Sequence, residues 1–214
     1  MAEQTKTAVL TGASRGIGHA TVKRFSAAGW RIITCSRDDV PEECKRDPNW
    51  AYHLPADLGD RDSVEKFIRD ANEHLEGEGL AALVNNAAQS PKTPYQERLG
   101  CLNGDLAAWR AVFELNLFVP LILGRGFAGA LHKAKGAVVN ITSIAVQMPF
   151  PGLAMSSAAR SALNQLAMQI VEDHTRGCVR RAIQAEEGDE AIFRAPGGTR
   201  TYEVLDVEFK AIEI

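Results

Sequence analysis

Thr11-Gly12-Ala13-Ser14-Arg15-Gly16-Ile17-Gly18 follows directly on the apolar run Thr7-Ala8-Val9-Leu10 and leads into a segment whose apolar residues recur at helical spacing. This context reads as strand, glycine-rich turn and helix. A turn so tight needs residues without Cβ strain, and a pyrophosphate can lie against the first helical turn only where no side chain intervenes. Glycines at 12, 16 and 18 meet both demands. A glycine fingerprint alone is weak; the flanking strand and helix supply the context that makes it informative.

Working outward, Ile17, Val22 and Phe25 keep a near-helical spacing up to Gly29, a natural stop. Arg31-Ile32-Ile33-Thr34-Cys35-Ser36 is short and β-rich and completes a strand-helix-strand unit. An adenosine ribose would lie where this second strand ends. An acid there accepts hydrogen bonds from a ribose 2′-hydroxyl, whereas a 2′-phosphate needs a cation. Arg37 at the strand end and Arg15 in the turn favour NADP; Asp38 and Asp39 would bring an acid to the ribose if the strand ended one residue later.

The alternation continues along the chain. After a polar connection over residues 41–50, a short strand runs to Asp57-Leu58, and an amphipathic helix follows with Val64, Phe67, Ile68, Ala71 and Leu75, closed by Gly77 and Gly79. Leu80-Ala81-Ala82-Leu83-Val84 is apolar on both faces, as a central parallel strand should be, and runs into Asn85-Asn86-Ala87-Ala88. Residues 89–103 are rich in Pro, Gly and polar side chains, a surface detour or part of a site. Asp105 is placed to cap a helix through Trp109, Val112, Phe113 and Leu117, in which Asn116 is either a buried amide satisfying backbone groups or a site residue. Residues 119–134 read as another helix and 136–142 as a fifth strand ending at Ser143. A proline-containing loop then precedes a small-residue helix from about 156 to 172. The expectation is a doubly wound, Rossmann-like α/β parallel sheet. Such sheets bind ligands beyond the carboxyl ends of their strands, where Gly12, Arg37, Asp57, Asn85 and Ser143 all fall.

Composition narrows the partner. A chain of 214 residues forms one domain, or one with a small appendage, and 24 basic against 27 acidic side chains leave a net charge of -3. No bulk attraction to nucleic acid or an anionic membrane follows, so a small molecule is expected. Cys35, Cys44, Cys101 and Cys178 lack paired spacing and read as reduced, mostly buried thiols, with neither zinc nor disulfides. His19, His53, His74, His132 and His174 lack metal-binding spacing and are expected to be unrelated. The first six residues lack an apolar signal core and no run is expected to reach membrane-spanning length, so a cytoplasmic location is expected.

In order and spacing, the TGxxxGxG turn at 11–18, Asp57, Asn85-Asn86-Ala87-Ala88, Asn116 and Ser143 resemble the short-chain dehydrogenase/reductase family over about residues 5–175. The resemblance implies that Gly12, Ile17 and the Ser14-Arg15 turn, framed by Gly16 and Gly18, bind cofactor phosphates and ribose. It implies that Asp57-Leu58 holds adenine and that Asn85 and Ala87 lie along the nicotinamide. It also implies hydride transfer between NAD(P)H and a carbonyl or alcohol through an Asn, Ser, Tyr, Lys tetrad. Asn116 and Ser143 match the first two members, but Ser156 and Arg160 stand where the Tyr and Lys belong. Realignment does not recover the pair, since the tyrosines are Tyr52, Tyr95 and Tyr202 and no lysine occurs from 136 through 209. A phenol of pKa roughly 10, lowered by an ammonium one turn away, exchanges protons near neutral pH. Serine is a far weaker acid with a shorter reach. Arg160 keeps a positive charge able to hold a nicotinamide ribose, without the compact ammonium geometry. Losing a positioned general acid costs typically ~10²–10⁴ in rate. Two functions remain open: an NADP(H)-linked oxidoreductase acting weakly on a carbonyl or alcohol, and a non-catalytic, cofactor-binding or inert rearranged relative. Assembly as a homo-oligomer is left open as well.

Beyond residue 175 the family would continue into a sixth strand, a Pro-Gly loop, a substrate lid and a seventh strand. Here residues 177–183 offer a poor sixth strand before the composition changes. About residues 181–209 resemble the C-terminal end of bacterial Gre-type transcript-cleavage factors, but no coiled-coil arm precedes them, so that activity is not implied. Strand-like residues on either side of Pro196-Gly197-Gly198 predict a β-hairpin, or else edge strands on the main sheet. The expected organisation is a dinucleotide-binding unit over 1–175, C-terminally truncated, and an atypical segment over 176–214.

Overall fold

The computed structural model describes residues 5–44, 47–90, 104–148, 150–173, 190–195 and 198–203, with backbone alone for Glu43, for 170–173 and for the last two segments. Cys101, Cys178, His174, Tyr95, most of the 89–103 loop and the expected sixth strand lie outside the described residues.

Five strands, β1 (Thr7–Thr11), β2 (Arg31–Ser36), β3 (Tyr52–Pro55), β4 (Ala82–Asn85) and β5 (Ala137–Asn140), form one parallel sheet in the order β3-β2-β1-β4-β5. The order reverses between β1 and β4, and that switch point is where open α/β sheets bind ligands. Alternating side chains build a core on each face. Val9, Ile33, Leu83 and Val138 pack with Phe67 of α2 (Arg61–His74), Leu123 of α4 (Val119–Gly126) and Leu131 of α5 (Ala128–Ala134). Ala8, Leu10, Ile32, Val84 and Val139 pack with Val22 and Phe25 of α1 (Gly16–Ala27). The strands β1, β4 and β5 are buried on both faces, which is why they read as largely continuous apolar runs, whereas β3 at the sheet edge is only partly buried.

Three features depart from the sequence reading. Residues 119–134 are two helices, α4 and α5, parted at Phe127. Asn72 Nδ2 donates to the Gly126 carbonyl at 3.2 Å, and a Cβ at Gly126 would lie 2.7 Å from Ile68, so close packing on α2 takes precedence over helix continuity. The helix α3 (Leu106–Phe113) passes into α4 through a π-helical segment, Glu114–Phe118, that carries Asn116. Against the expectation that no run reaches membrane-spanning length, the helix Leu106–Gly126, 21 residues, is long and apolar enough by length and composition alone, a character that a helix packed on a sheet can share. Its Val112, Asn116, Val119 and Leu123 are buried against the protein and its Arg110, Glu114 and Arg125 are exposed. The last helix, α6 (Ala154–Asp173), packs on α3 and on the π-helical segment. The expected hairpin is present as β6 (Glu190–Ala195) and β7 (Gly198–Glu203), an antiparallel pair forming its own sheet rather than an edge of the main one.

Candidate functional site

The turn after β1 is shaped by contacts that exclude side chains. Gly12 has φ +68° and its N–H donates to the Cys35 carbonyl at 2.8 Å; a Cβ there would meet Asn86 Nδ2 at 2.9 Å and Ala87 Cα at 3.0 Å. At Gly18 a Cβ would lie 2.1 Å from the Gly12 carbonyl oxygen, closer than any rotamer change can relieve. Asn86 clasps this turn to the end of β4. Its Nδ2 donates to the Thr11 and Gly12 carbonyls at 2.9 and 3.0 Å, and the Asn86 and Ala87 N–H groups both donate to Thr11 Oγ1 at 3.0 Å.

Above the turn, α1 begins without a side-chain cap on its N–H groups, with Arg15 at the N-cap position and no acid in the first turn. The helices α2 and α3 are capped instead, by Asp60 on Ser63 N–H at 2.9 Å and by Asp105 on Ala108 N–H at 2.7 Å. An uncapped N-terminus of positive dipole is suited to an anion. It opens on a cleft of about 520 Å³ whose lining includes Gly12, Ser14, Arg15, Arg37, Asp57 and Ala87, with Leu58 also on its wall. Asp57 is held by accepting the Gly59 N–H at 2.9 Å on Oδ1 and by donating its own N–H to Ser63 Oγ at 3.0 Å. Asp38 stands in the same cleft, accepting from Ser14 Oγ at 3.4 Å, with Arg15 Nη1 3.7 Å away. The acid weighed against Arg37 in the sequence is therefore at the strand end together with both arginines.

Of the other expected residues, Leu58 only touches this cleft, and Asn85, Gly16, Ile17 and Asn116 are not part of its lining. Asn85 is buried and donates through Nδ2 to Asn140 Oδ1 at 2.8 Å, tying β4 to β5; its neighbour Asn86 makes the link to the glycine turn. Leu58 is 5% exposed and its side chain belongs chiefly to the core. Gly16 and Ile17 open α1, and the Ile17 side chain is 47% exposed. Asn116 satisfies backbone groups: its Oδ1 accepts the Gln89 N–H at 2.9 Å and its Nδ2 donates to the Gln89 carbonyl at 2.8 Å.

The four tetrad positions sit on elements in mutual contact, since α6 packs against the 114–118 segment and the short turn Ile144–Val146 that follows Ser143. Ser143 Oγ accepts from Ala145 N–H at 3.2 Å. Ser156 is buried, and Arg160 donates through Nη1 to the Ile141 carbonyl at 3.3 Å while its Nε is buried without a partner. Burial lowers the Arg160 pKa from its ordinary value, yet a guanidinium stays charged at any ordinary pH. Tyr52, the tyrosine whose side chain is described, lies on β3 stacked on His74 with centroids 3.8 Å apart. It supplies no phenol to Ser143.

A family model described as short chain dehydrogenase matches residues 6–183. The chain belongs to the short-chain dehydrogenase family. Protein FixR of Bradyrhizobium diazoefficiens is 42% identical over 201 residues, covering 92% of this chain and 68% of that protein. Among family structures, a Brucella ovis oxidoreductase in complex with a partially ordered NAD has a TM-score of 0.76 and 42% identity, over 87% of this chain and 85% of its own. A metagenomic short-chain oxidoreductase in complex with NADP gives 0.70 and 28% identity, over 84% of this chain and 80% of its own. Family members with this parallel sheet thus hold either dinucleotide.

A second cluster carried no signal in the sequence. Trp50 Nε1 donates to Thr34 Oγ1 at 2.6 Å, Thr34 Oγ1 meets His53 Nδ1 at 2.8 Å, and His53 Nε2 meets the Asp38 carbonyl at 3.0 Å. His19 Nε2 lies 3.1 Å from Cys44 Sγ, with its ring 6.3 Å from that of Trp50. Two histidines expected to be unrelated flank one tryptophan.

Proposed function

We propose that this chain binds a nicotinamide dinucleotide across the carboxyl ends of β1 to β4, NADP(H) in preference to NAD(H), and that as an oxidoreductase it is weak or inactive. The carrying observation is the Gly12–Gly18 packing beneath an uncapped helix that opens on the 520 Å³ cleft. In this reading Gly12, Ser14, Gly16, Ile17 and Gly18 frame the phosphates, Arg15 and Arg37 meet the 2′-phosphate, Asp57 and Leu58 hold adenine, and Ala87 lies along the nicotinamide side. Asn85 fixes the end of β4. A dinucleotide held there would supply hydride chemistry toward a small carbonyl or alcohol. Ser143 is the hydroxyl left to meet the substrate oxygen, and Ser156 and Arg160 replace the expected acid and its activating ammonium. The second reading, a dinucleotide-binding protein without turnover, is favoured by that same replacement. The tail's likeness to Gre-type factors is taken to carry no role at RNA polymerase.

Asp38 makes the preference a contest. With Arg15 3.7 Å away its charge is partly offset, so we expect a tighter Kd for NADPH than for NADH in calorimetric titration. Asp38→Asn should widen the gap, and Arg15→Ala with Arg37→Ala should close it. Equal affinities, or an advantage that survives the double substitution, would overturn the NADP assignment. Binding of neither dinucleotide would overturn the whole reading.

A further inference from the structure

Cys44 packs with Val22, Phe25 and Trp50 in the buried cluster on the α1 side of the sheet, in surroundings unlike those of Cys35. Cys35 is wholly buried in β2, and desolvation pushes its pKa up to about 12, which keeps the thiol protonated and inert. Cys44 ends a short 3-10 turn, Glu42–Cys44, and its sulfur lies 3.1 Å from an imidazole nitrogen of His19. It also lines a cavity of about 320 Å³ shared with Asp39, Val40, Trp50 and His53. A water occupies about 30 Å³, so the cavity admits a molecule the size of hydrogen peroxide even though Cys44 as a whole is only 7% exposed.

The thiolate is the reactive form of cysteine, and an adjacent imidazole that takes the proton favours it. His53, which also lines this cavity, links it to Asp38 in the lining of the cleft. His53 contacts the Asp38 carbonyl at 3.0 Å, and the Asp38 carboxylate receives Ser14 Oγ and lies beside Arg15.

We propose that Cys44, paired with His19, is an oxidation site for small peroxides, and that its oxidation weakens dinucleotide binding through His53 and Asp38. His19 takes the thiol proton; the sulfur attacks one peroxide oxygen and forms an S–O bond as the O–O bond breaks. The departing hydroxide takes the proton from His19 and leaves as water, so sulfur is oxidised to a sulfenic acid and peroxide is reduced. The added oxygen projects a polar group into the cavity against His53 and disturbs its hold on the Asp38 carbonyl.

The effect on binding rests on the dinucleotide reading; the reactivity of Cys44 does not. The full chain is treated with hydrogen peroxide in the presence of dimedone, and each cysteine-containing peptide is read by mass spectrometry. Untreated and peroxide-treated protein without dimedone are then titrated with NADPH and NADH. We expect a dimedone adduct on Cys44 and none on Cys35, at least tenfold slower labelling of Cys44 in His19→Gln, and a severalfold weaker dinucleotide affinity after oxidation that Cys44→Ser abolishes. No adduct on Cys44, or labelling as fast in folded His19→Gln, would overturn the site. Full labelling of Cys44 with unchanged affinity would overturn the coupling. Should the untreated protein bind neither dinucleotide, the dinucleotide reading and the coupling fail together, while the labelling still decides the reactivity of Cys44.

Discussion

Arg160 places a guanidinium beneath the sheet's carboxyl edge with a backbone carbonyl as its hydrogen-bond partner, and among the described residues no carboxylate pairs with it. A buried charge held this loosely is costly unless something else shares it. A ribose diol at the nicotinamide end would do so, which fits a role in binding more readily than one in proton transfer. Ser156, one helical turn earlier and buried, presents an alcohol whose proton is far too tightly held for acid catalysis near neutral pH. We therefore expect ketone reduction slower than that of an intact tetrad by at least ~10²–10⁴, the usual worth of a general acid. Ser156→Tyr with Arg160→Lys should restore NADPH oxidation on a panel of simple ketones, and either change alone should do little because the pair acts as a unit. Efficient turnover by the unmodified chain would refute this account. Failure of a folded, cofactor-binding double variant to gain activity would shift the cause to the groups that position the substrate.

At the scale of elements, the strand-turn-helix over Thr7–Thr11 and Gly16–Ala27 was legible because each glycine is dictated by local geometry. The test is whether helical glycines differ as their surroundings require. Gly18→Ala would push a methyl into the Gly12 carbonyl, 2.1 Å from the ideal Cβ. Overpacking of this kind costs about 1–3 kcal/mol, and displacing the turn should weaken dinucleotide binding as well. Gly124, in α4, has open space around its Cβ position, so Gly124→Ala should stabilise the protein by about 0.4–1 kcal/mol. Chemical denaturation of both variants reads the signs directly, and a tolerated Gly18→Ala would contradict the packing described. Elements set by contacts distant in sequence were not legible in the same way. The break at Phe127 depends on Asn72 and Ile68 in another helix, and the π-helical segment around Asn116 depends on docking to Gln89 and α6. The role of Asn86 had a faint signal. Consecutive residues at a strand end point to opposite sides, so the Asn85-Asn86 pair had to divide its work, and Thr11 is a polar end to an apolar strand.

For the molecule as a whole, the parallel sheet and the cleft followed from strand-helix alternation, while the network around His53 joined residues from three segments that no spacing rule connects. That network makes a pH prediction. Desolvation lowers the His53 pKa below 6.5, outweighing the Asp38 carbonyl and the Asp39 charge that raise it. Because the folded-state value is depressed, His53 stays neutral in the folded protein while the unfolded chain takes up a proton as pH falls through 6.5. The unfolded state then binds more protons, so stability is complete above that pH and declines below it until the folded histidine also titrates. The Asp38 carbonyl can only accept, so Nε2 carries the hydrogen of the neutral ring and Nδ1 accepts from the Thr34 hydroxyl; protonation would put a hydrogen on Nδ1 and oppose that donation. Urea midpoints measured at pH 7.5 and 5.5 should fall toward the lower value in the parent chain. His53→Gln should lower the midpoint at pH 7.5 through lost hydrogen bonds, yet show a smaller drop between the two pH values. An equal or larger drop in His53→Gln would mean that other groups set the acid sensitivity and that burial of this imidazole contributes nothing to it.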